Sequence, residues 1–279
     1  MVIRLRRKRT STMTKALIDA DGIVYAAGFS TQKKVDGIVQ TDPVHFAYHN
    51  AKVILTKMLD VVQATEYKLY LTSADQSNFR FNIAKTQPYK GNRLHSDCCE
   101  KRISYQTSDL NSGTCNLCKM PCKAVSDDKP IHYSAIREYL VNRWGANLVY
   151  TFEADDKLAM SQTESTVICS FDKDLLQVPG NHYNWRTGVF KSISETEGWR
   201  SLFKQVLTGD TADHIPGIPR YGPVAAKVYI DGLNEPEAMY ERVFIEYLKN
   251  NLTETRLTEV CNLLYLLRHE NDEWKIPQS

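Results

Sequence analysis

Four short apolar segments of this 279-residue chain run straight into carboxylates. ALID (16–19) ends on Asp19, YKLYLTSAD (67–75) on Asp75, NLVYTF (147–152) leads into Glu153, Asp155 and Asp156, and STVICSF (165–171) into Asp172 and Asp174. Helical patterns separate them. Alternating strands and helices of this kind build a parallel sheet, because parallel neighbours need a crossover between them. In such a sheet the C-terminal strand ends share one edge, and ligands bind there. The pattern therefore predicts an α/β core with a mostly parallel sheet and one carboxylate-lined edge.

The helices are read from apolar spacing. Residues 43–62 place Val44, Ala47, Ala51, Ile54, Leu55, Met58 and Leu59 on one face, with Asp42 as N-cap and Pro43 as the first helical residue. Residues 132–145 form a second helix closed by Gly145, and 153–162 a third. Residues 182–193 read as a hairpin about Thr187-Gly188. From about 195 the chain is mainly helical, with helices at 224–231, 236–249 and 254–268 and a Gly/Pro-punctuated turn at 209–222. The organisation expected is a basic tail (1–14), an α/β core (15–193) carrying a Cys-rich insertion (94–130), and a helical part (194–279).

Asp210 and Asp213, in the helical part and one turn apart, can face the same cleft, which brings the set to nine carboxylates. Nine packed acids repel one another, and some must be neutral unless a cation joins them. Oxygen-only ligands favour hard ions, hence Mg²⁺ or Mn²⁺ rather than zinc. Two such ions suit in-line attack of water on a phosphodiester. Taken singly, each Asp reads equally well as a helix cap or a solvated loop residue; Asp156 could simply favour a helix N-terminus. Their joint position on one edge is what argues for metal.

Charge and cysteine usage bound the rest. Residues 1–12 hold Arg4, Arg6, Arg7, Lys8 and Arg9; without these five of the 35 basic residues the balance is 30 against 33 acids, a net −3. The body is thus no general polyanion binder, and nucleic acid would be held by a local basic face or by metal. The basic head has no apolar stretch of a secretory signal, and Met13 is a second candidate start. No apolar run approaches the ~20 residues of a membrane span. Five of seven cysteines (Cys98, Cys99, Cys115, Cys118, Cys122) fall within one stretch. With no export signal, a reducing, cytoplasmic location is expected. Cys115, Cys118, Cys122 and one of Cys98 or Cys99, with His95 or His132 as substitutes, are a candidate structural Zn²⁺ site; the competing reading of 94–130 is a surface insertion poor in apolar residues. Cys169 and Cys261 read as core residues.

Six motifs occur in fixed order: LIDAD (17–21), SADQSNFR (73–80), YKGNR (89–93), FEADD (152–156), SFDKD (170–174) and GDTADHIPGIPRYGP (209–223). Together they resemble the flap endonuclease / 5′→3′ exonuclease family, most closely its bacteriophage members, which includes the 5′-nuclease domain of bacterial DNA polymerase I. The resemblance runs from about residue 15 to about 270, interrupted by 94–130. It implies a PIN-like nuclease core, a helical arch and a C-terminal helix–three-turn–helix element. It implies hydrolysis of phosphodiesters at 5′ ends, nicks or flaps of DNA with two divalent metals, in replication, recombination or primer removal. Asp19, Asp75, Glu153, Asp155 and Asp156 then fall on the first metal site, and Asp172, Asp174, Asp210 and Asp213 on the second. Lys90 falls on the arch lysine that approaches the scissile phosphate, and Arg93 on its basic neighbour. Tyr89 is assigned either to stacking on a terminal base or to packing of the arch.

In the same family the glycine hairpin grips duplex backbone and often holds K⁺, which assigns Gly217 and Gly222 to DNA binding; Arg220 is a candidate for a further phosphate contact, and Lys227, on the next helix, reads either as a phosphate ligand or as a solvated surface residue. Here Pro219-Arg220-Tyr221 replaces a smaller, Gly-containing turn, which leaves K⁺ open. RNA:DNA hybrids also fit a site that grips backbone rather than reading bases. Two other functions compete. A PIN-type ribonuclease would explain the acidic core but not YKGNR or the acids beside the hairpin. A structure-specific DNA-binding protein without chemistry would need a lost carboxylate or Lys90, yet all are filled.

Overall fold

The computed structural model describes residues 14–36, 38–73, 78–91 and 129–278. Asp75, Arg93, His95, the five clustered cysteines and the basic head lie outside the described residues.

The chain begins with β1 (Lys15–Asp19), α1 (Ala20–Phe29), a hairpin of β2 (Gln32–Val35) and β3 (Ile38–Thr41), then α2 (Val44–Val62), β4 (Glu66–Thr72) and the single turn α3 (Arg80–Ile83). After the undescribed stretch come α4 (Tyr133–Trp144), β5 (Asn147–Val149), α5 (Ala154–Ser161), β6 (Thr166–Cys169) and a 3₁₀ turn (Asp174–Gln177). Next are β7 (Gly180–Asn184), β8 (Val189–Ile193), α6 (Glu195–Thr208), the two-residue strands β9 (Gly209–Asp210) and β10 (Ile215–Pro216), α7 (Pro223–Ile230), α8 (Pro236–Lys249) and α9 (Glu254–Leu264).

The main sheet has the order β5-β4-β1-β6-β7-β8. The first five strands run parallel and β8 returns antiparallel as the partner of β7. β1 lies at the centre, with Ile18 opposite both Leu69 and Cys169. Its residues Ala16, Leu17 and Ile18 are buried, as are all four of β6, which is why both segments read as unbroken apolar runs rather than alternating ones. One face packs on α1, α2 and α4, with Ala47, Ala51, Leu55 and Met58 of α2 in that core beside Ile136 and Leu140. The other face carries α5, and Leu158 there meets Leu17, Ile168 and Leu266. A third core, around Phe203, Val243, Tyr247 and Val260, joins α6 to α9 and takes in Tyr89.

Helix boundaries follow local chemistry. Gly145 ends α4 in the left-handed region (φ 64°), as its sequence position implies. Pro43, not Asp42, is the N-cap of α2, without a side-chain cap bond. The last helix stops at Leu264, four residues short of the sequence expectation. The cause is competition for backbone groups. Arg80 takes the carbonyls of Leu263 and Tyr265, Gln177 takes that of Leu264, and the amides of Leu266 and Leu267 are donated to Gln177 and Asp156. The β2–β3 hairpin was not expected from the pattern. Its turn sequence, Asp36-Gly37, is a strong hairpin signal, and Asp36 adopts the positive φ (51°) such turns require. Asp210 lies in the β9·β10 ladder rather than on a helix, so the expected one-turn spacing to Asp213 is instead a tight loop. Among the described residues no helix is long and apolar enough to cross a membrane.

Candidate metal centre

The carboxylates gather where β1, β5 and β6 end. Asp19 closes β1 and caps α1; its Oδ1 accepts the Gly22 amide at 3.3 Å and its Oδ2 the Ser170 hydroxyl at 2.9 Å. The same Ser170 Oγ accepts the Asp172 amide at 3.0 Å, and Asp172 Oδ1 accepts the Asp174 amide at 2.9 Å. One serine thus fixes the spacing between the acids of β1 and those after β6. Glu153 and Asp155 enter from the N-terminal turn of α5. Asp210 is held by Gln205 and by the amides of Ala212 and Asp213.

The cost of this packing appears in the ionisation of the group. Burial, with Asp21 and Asp172 nearby, raises Asp19 to about 7. Burial and the charges of Asp19, Asp172 and Glu153 hold Asp155 well above the ordinary carboxylate range. Burial and the adjacent Asp172 and Asp210 raise Asp174 to about 8; its carboxyl hydrogen-bonds Asp210, which is lowered in turn despite its own burial. Carboxylates in such a state are short of positive charge.

One side of the cleft supplies some. Lys90 Nζ pairs with Glu153 Oε1 and lies 3.8 Å from Asp213 Oδ1. Burial alone would raise Glu153, but Lys90 and Arg80 outweigh it and hold the group down. Lys90 has a positive φ (54°), and its amide donates to the Asp213 carbonyl at 2.8 Å. The backbone is thus bent to present the ammonium to the acids. Tyr89, beside it, is buried in the helical core with its ring edge-on to Phe81, and its hydroxyl sits between Glu153 Oε2 (3.0 Å) and Asp213 Oδ2 (2.7 Å). Of the two readings of Tyr89, packing is what the geometry supports; its ring has no free face for a base.

Asp156 departs from the expected metal set. It is fully buried, and both carboxylate oxygens receive the Arg80 guanidinium, at 2.6 and 2.8 Å. It also accepts the amides of Glu153 and Leu267. The reason is geometric: consecutive helical residues point about 100° apart, so Asp155 and Asp156 cannot share a target. Arg80 itself was missed as a site residue. The available signal was that second aspartate, which needed a cation on the far side of the helix. Arg137 is a second such group, joining α4 to Asp21 Oδ1 at 2.8 Å while Asp21 Oδ2 accepts the Thr72 amide.

The hairpin residues divide. A Cβ on Gly217 would meet the Gly209 nitrogen and Leu207 oxygen, so Gly217 serves the crossing of the chain with itself. Gly222 has open space around it and an ordinary φ of −95° as N-cap of α7. Arg220 is exposed with a positive φ (69°), Lys227 is exposed on α7, and Tyr221 turns inward to donate to Glu246 at 2.6 Å.

Among the described residues no three His, Cys, Asp or Glu side chains are drawn into one metal-ligand set. Glu153, Asp213 and Asp210 are turned onto Lys90, Tyr89 and Gln205 instead. The donor chemistry nevertheless fits hard divalent cations: the donors are all carboxylate oxygens, and Asp19, Asp155 and Asp174 are raised as acids lacking a counter-cation must be.

Known structures bear on the architecture. The flap endonuclease of bacteriophage T5, solved with DNA and metal ions, superimposes with a TM-score of 0.60 at 13% identity, covering 91% of this chain and 89% of that one. Flap endonuclease-1 of Methanococcus jannaschii gives 0.55 at 14% identity, over 93% and 80%. The chain has the flap endonuclease fold. In sequence, the DNA polymerase I of Rhizobium leguminosarum is 34% identical over 106 residues, 33% of this chain. The chain spans about 10% of that polymerase. No protein-family model matches the chain. The flap endonuclease fold thus rests on agreement across more than nine-tenths of the length at identities near one residue in eight.

Proposed function

We propose that the protein is a structure-specific 5′-nuclease that hydrolyses phosphodiesters in DNA with 5′ ends, nicks or flaps. The observation that carries this reading is the meeting of Asp19, Glu153, Asp155 and Asp172 with Lys90 at the strand-end edge of a flap endonuclease fold. Two Mg²⁺ or Mn²⁺ ions would be held by Asp19, Asp75, Glu153 and Asp155 on one side, and by Asp172, Asp174, Asp210 and Asp213 on the other. When bound they would supply Lewis acidity and lower the pKa of water. Asp156 is left out of this set.

The chain's own residues have separable tasks. Ser170 and Gly22 fix the rotamer of Asp19, so the acid needs no reorganisation on binding a cation. The Asp156–Arg80 pair fixes the start of α5 and with it Glu153. Lys90 pairs with Glu153 and partly offsets the charge of Asp213 in the free protein. On binding substrate it is the group placed to turn to the scissile phosphate, where its charge stabilises the transition state. Arg220 and Lys227, both exposed, contact duplex phosphates beside the cleft. K⁺ at residues 209–222, Zn²⁺ in 94–130, and RNA:DNA hybrids as substrates stay as open proposals.

The test is cleavage of a 5′-flap duplex and the matching nicked duplex, each labelled at both ends, in Mg²⁺, Mn²⁺ or EDTA. Metal-dependent products from the 5′ strand are expected. Tight binding with no cleavage in either metal would sink the reading in favour of a DNA-binding protein.

A further inference from the structure

A groove of about 710 Å³ lies beside the carboxylate cleft, not within it. Its floor is the sheet edge formed by β4 and β5, and its walls are α5 and the segment after α9. Among the described residues β5 is the outermost strand of the sheet, and none of them adds a further strand on this side. Lys68, Lys157, Arg268 and His269 line it, against one carboxylate, Glu270, which Lys157 already pairs at 2.8 Å. Lys68 is exposed and has no ion partner among the described residues. Arg268 donates Nη2 to the Gln177 carbonyl at 2.6 Å, and its Nη1 is buried without a partner. Among these cations stands Tyr150, 55% exposed, with no ring partner among the described residues. Phe152, the residue before Glu153, also lines the groove.

We propose that this groove holds a short single-stranded segment of a nucleic-acid substrate. The charge is complementary to a phosphate backbone: three permanent cations against one acid leave a net charge of +2, with a histidine beside them. An exposed aromatic ring between cations is what unpaired bases stack on, whereas the base faces of a duplex are covered by their neighbours. The β5–α5 connection lines the groove with Tyr150, Thr151 and Phe152 and leads in the next residue to Glu153 of the cleft, which places the two sites side by side. The proposal rests on the nuclease reading for its substrate, but not for its binding test.

That test uses the full chain with oligo(dT) carrying 5-iodouracil, in EDTA, with ultraviolet cross-linking and peptide mapping. Cross-linking at Tyr150 is expected. Affinity for oligo(dT) should fall about tenfold in Tyr150→Ala, the loss expected for one stacked base. Lys68→Glu should weaken it further and flatten its salt dependence. Neither variant should change cleavage of a nicked duplex lacking single-stranded arms. Cross-linking elsewhere, unchanged affinity in both variants, or equal loss on armed and unarmed duplexes would overturn the proposal. So would tighter binding of an Asp/Glu- and Phe-rich peptide that is lost in Tyr150→Ala, since that would make the groove a protein-docking site. Cross-linking at Tyr150 in a protein that cleaves nothing in any metal supports the groove and removes the nuclease reading alone.

Discussion

Arg80 and Asp156 form a buried, two-pronged ion pair, Nη1 to Oδ2 at 2.6 Å and Nη2 to Oδ1 at 2.8 Å. Arg80 is 1% exposed and Asp156 not at all. Replacing one partner strands the other's charge, at a cost of about 3–5 kcal/mol. Asp156→Asn should therefore lower the denaturation midpoint strongly. A ligand role predicts the opposite division: near-native stability with a raised Mg²⁺ requirement for cleavage. Denaturant titration alongside a Mg²⁺ titration separates the two.

Asp155→Asn should behave the other way. It removes a carboxylate that burial and four neighbouring acids hold far from its ordinary ionisation. The metal-free protein should be as stable as the parent or more so. Cleavage should fall by about 10²–10³-fold or more, while duplex binding by fluorescence anisotropy is retained. Full activity in this variant would refute the catalytic assignment.

Lys90→Ala removes the ammonium that pairs with Glu153 and lies 3.8 Å from Asp213. Cleavage at saturating substrate should drop by about 10²-fold with little change in KM, if the ammonium acts on the transition state rather than on binding. A change in KM alone would assign it to substrate binding.

The metal-free protein should lose stability as pH rises. Asp19 and Asp174 have folded-state values of about 7 and about 8 against an ordinary 3.8, so the folded chain holds more protons than the unfolded one through that window. Their contribution is complete at low pH and lost on passing the raised values. His182, buried and lowered, acts in the opposite sense only below its ordinary 6.5. In EDTA, the melting temperature should thus be lower at about pH 8.5 than at about pH 7, by on the order of 1–2 kcal/mol in stability. Saturating Mg²⁺ should narrow the gap, which a melting series with and without metal reads directly.

Two glycines of one loop should give opposite results. Gly217→Ala drives a methyl into the backbone at Gly209 and Leu207, and should destabilise by about 1–3 kcal/mol. Gly222→Ala meets nothing, so its melting temperature should match the parent's. Any defect of Gly222→Ala in duplex affinity would then report on phosphate contact alone.

The sheet was legible because its strands carry two signals at once, buried apolar runs and a carboxylate at each end. β1 and β6 show both. The cleft was legible for the same reason: strand ends in a parallel sheet must coincide, so Asp19, Glu153 and Asp172 could be grouped without knowing a distance. What failed depended on direction and on distant partners. Asp156 is adjacent to Asp155 in sequence but turned through a third of a helical circle, and the arginine it meets lies 76 residues earlier. Tyr89 was ambiguous because only the packing of α6 to α9 decides whether its ring is covered. The end of α9 could not be read because Arg80 and Gln177 intercept its carbonyls.

The segment from Leu263 to Arg268 supplies carbonyls to Arg80 and Gln177 and an amide to Asp156. Asp156 in turn sets the backbone of Glu153. During synthesis these residues leave the ribosome well after the strands bearing the acids have emerged. The nascent chain therefore carries its carboxylates without the brace that aligns them. The brace is thus acquired only once residues 263–268 have been made, and a message truncated a few codons before residue 263 would yield a sheet whose acids lack it.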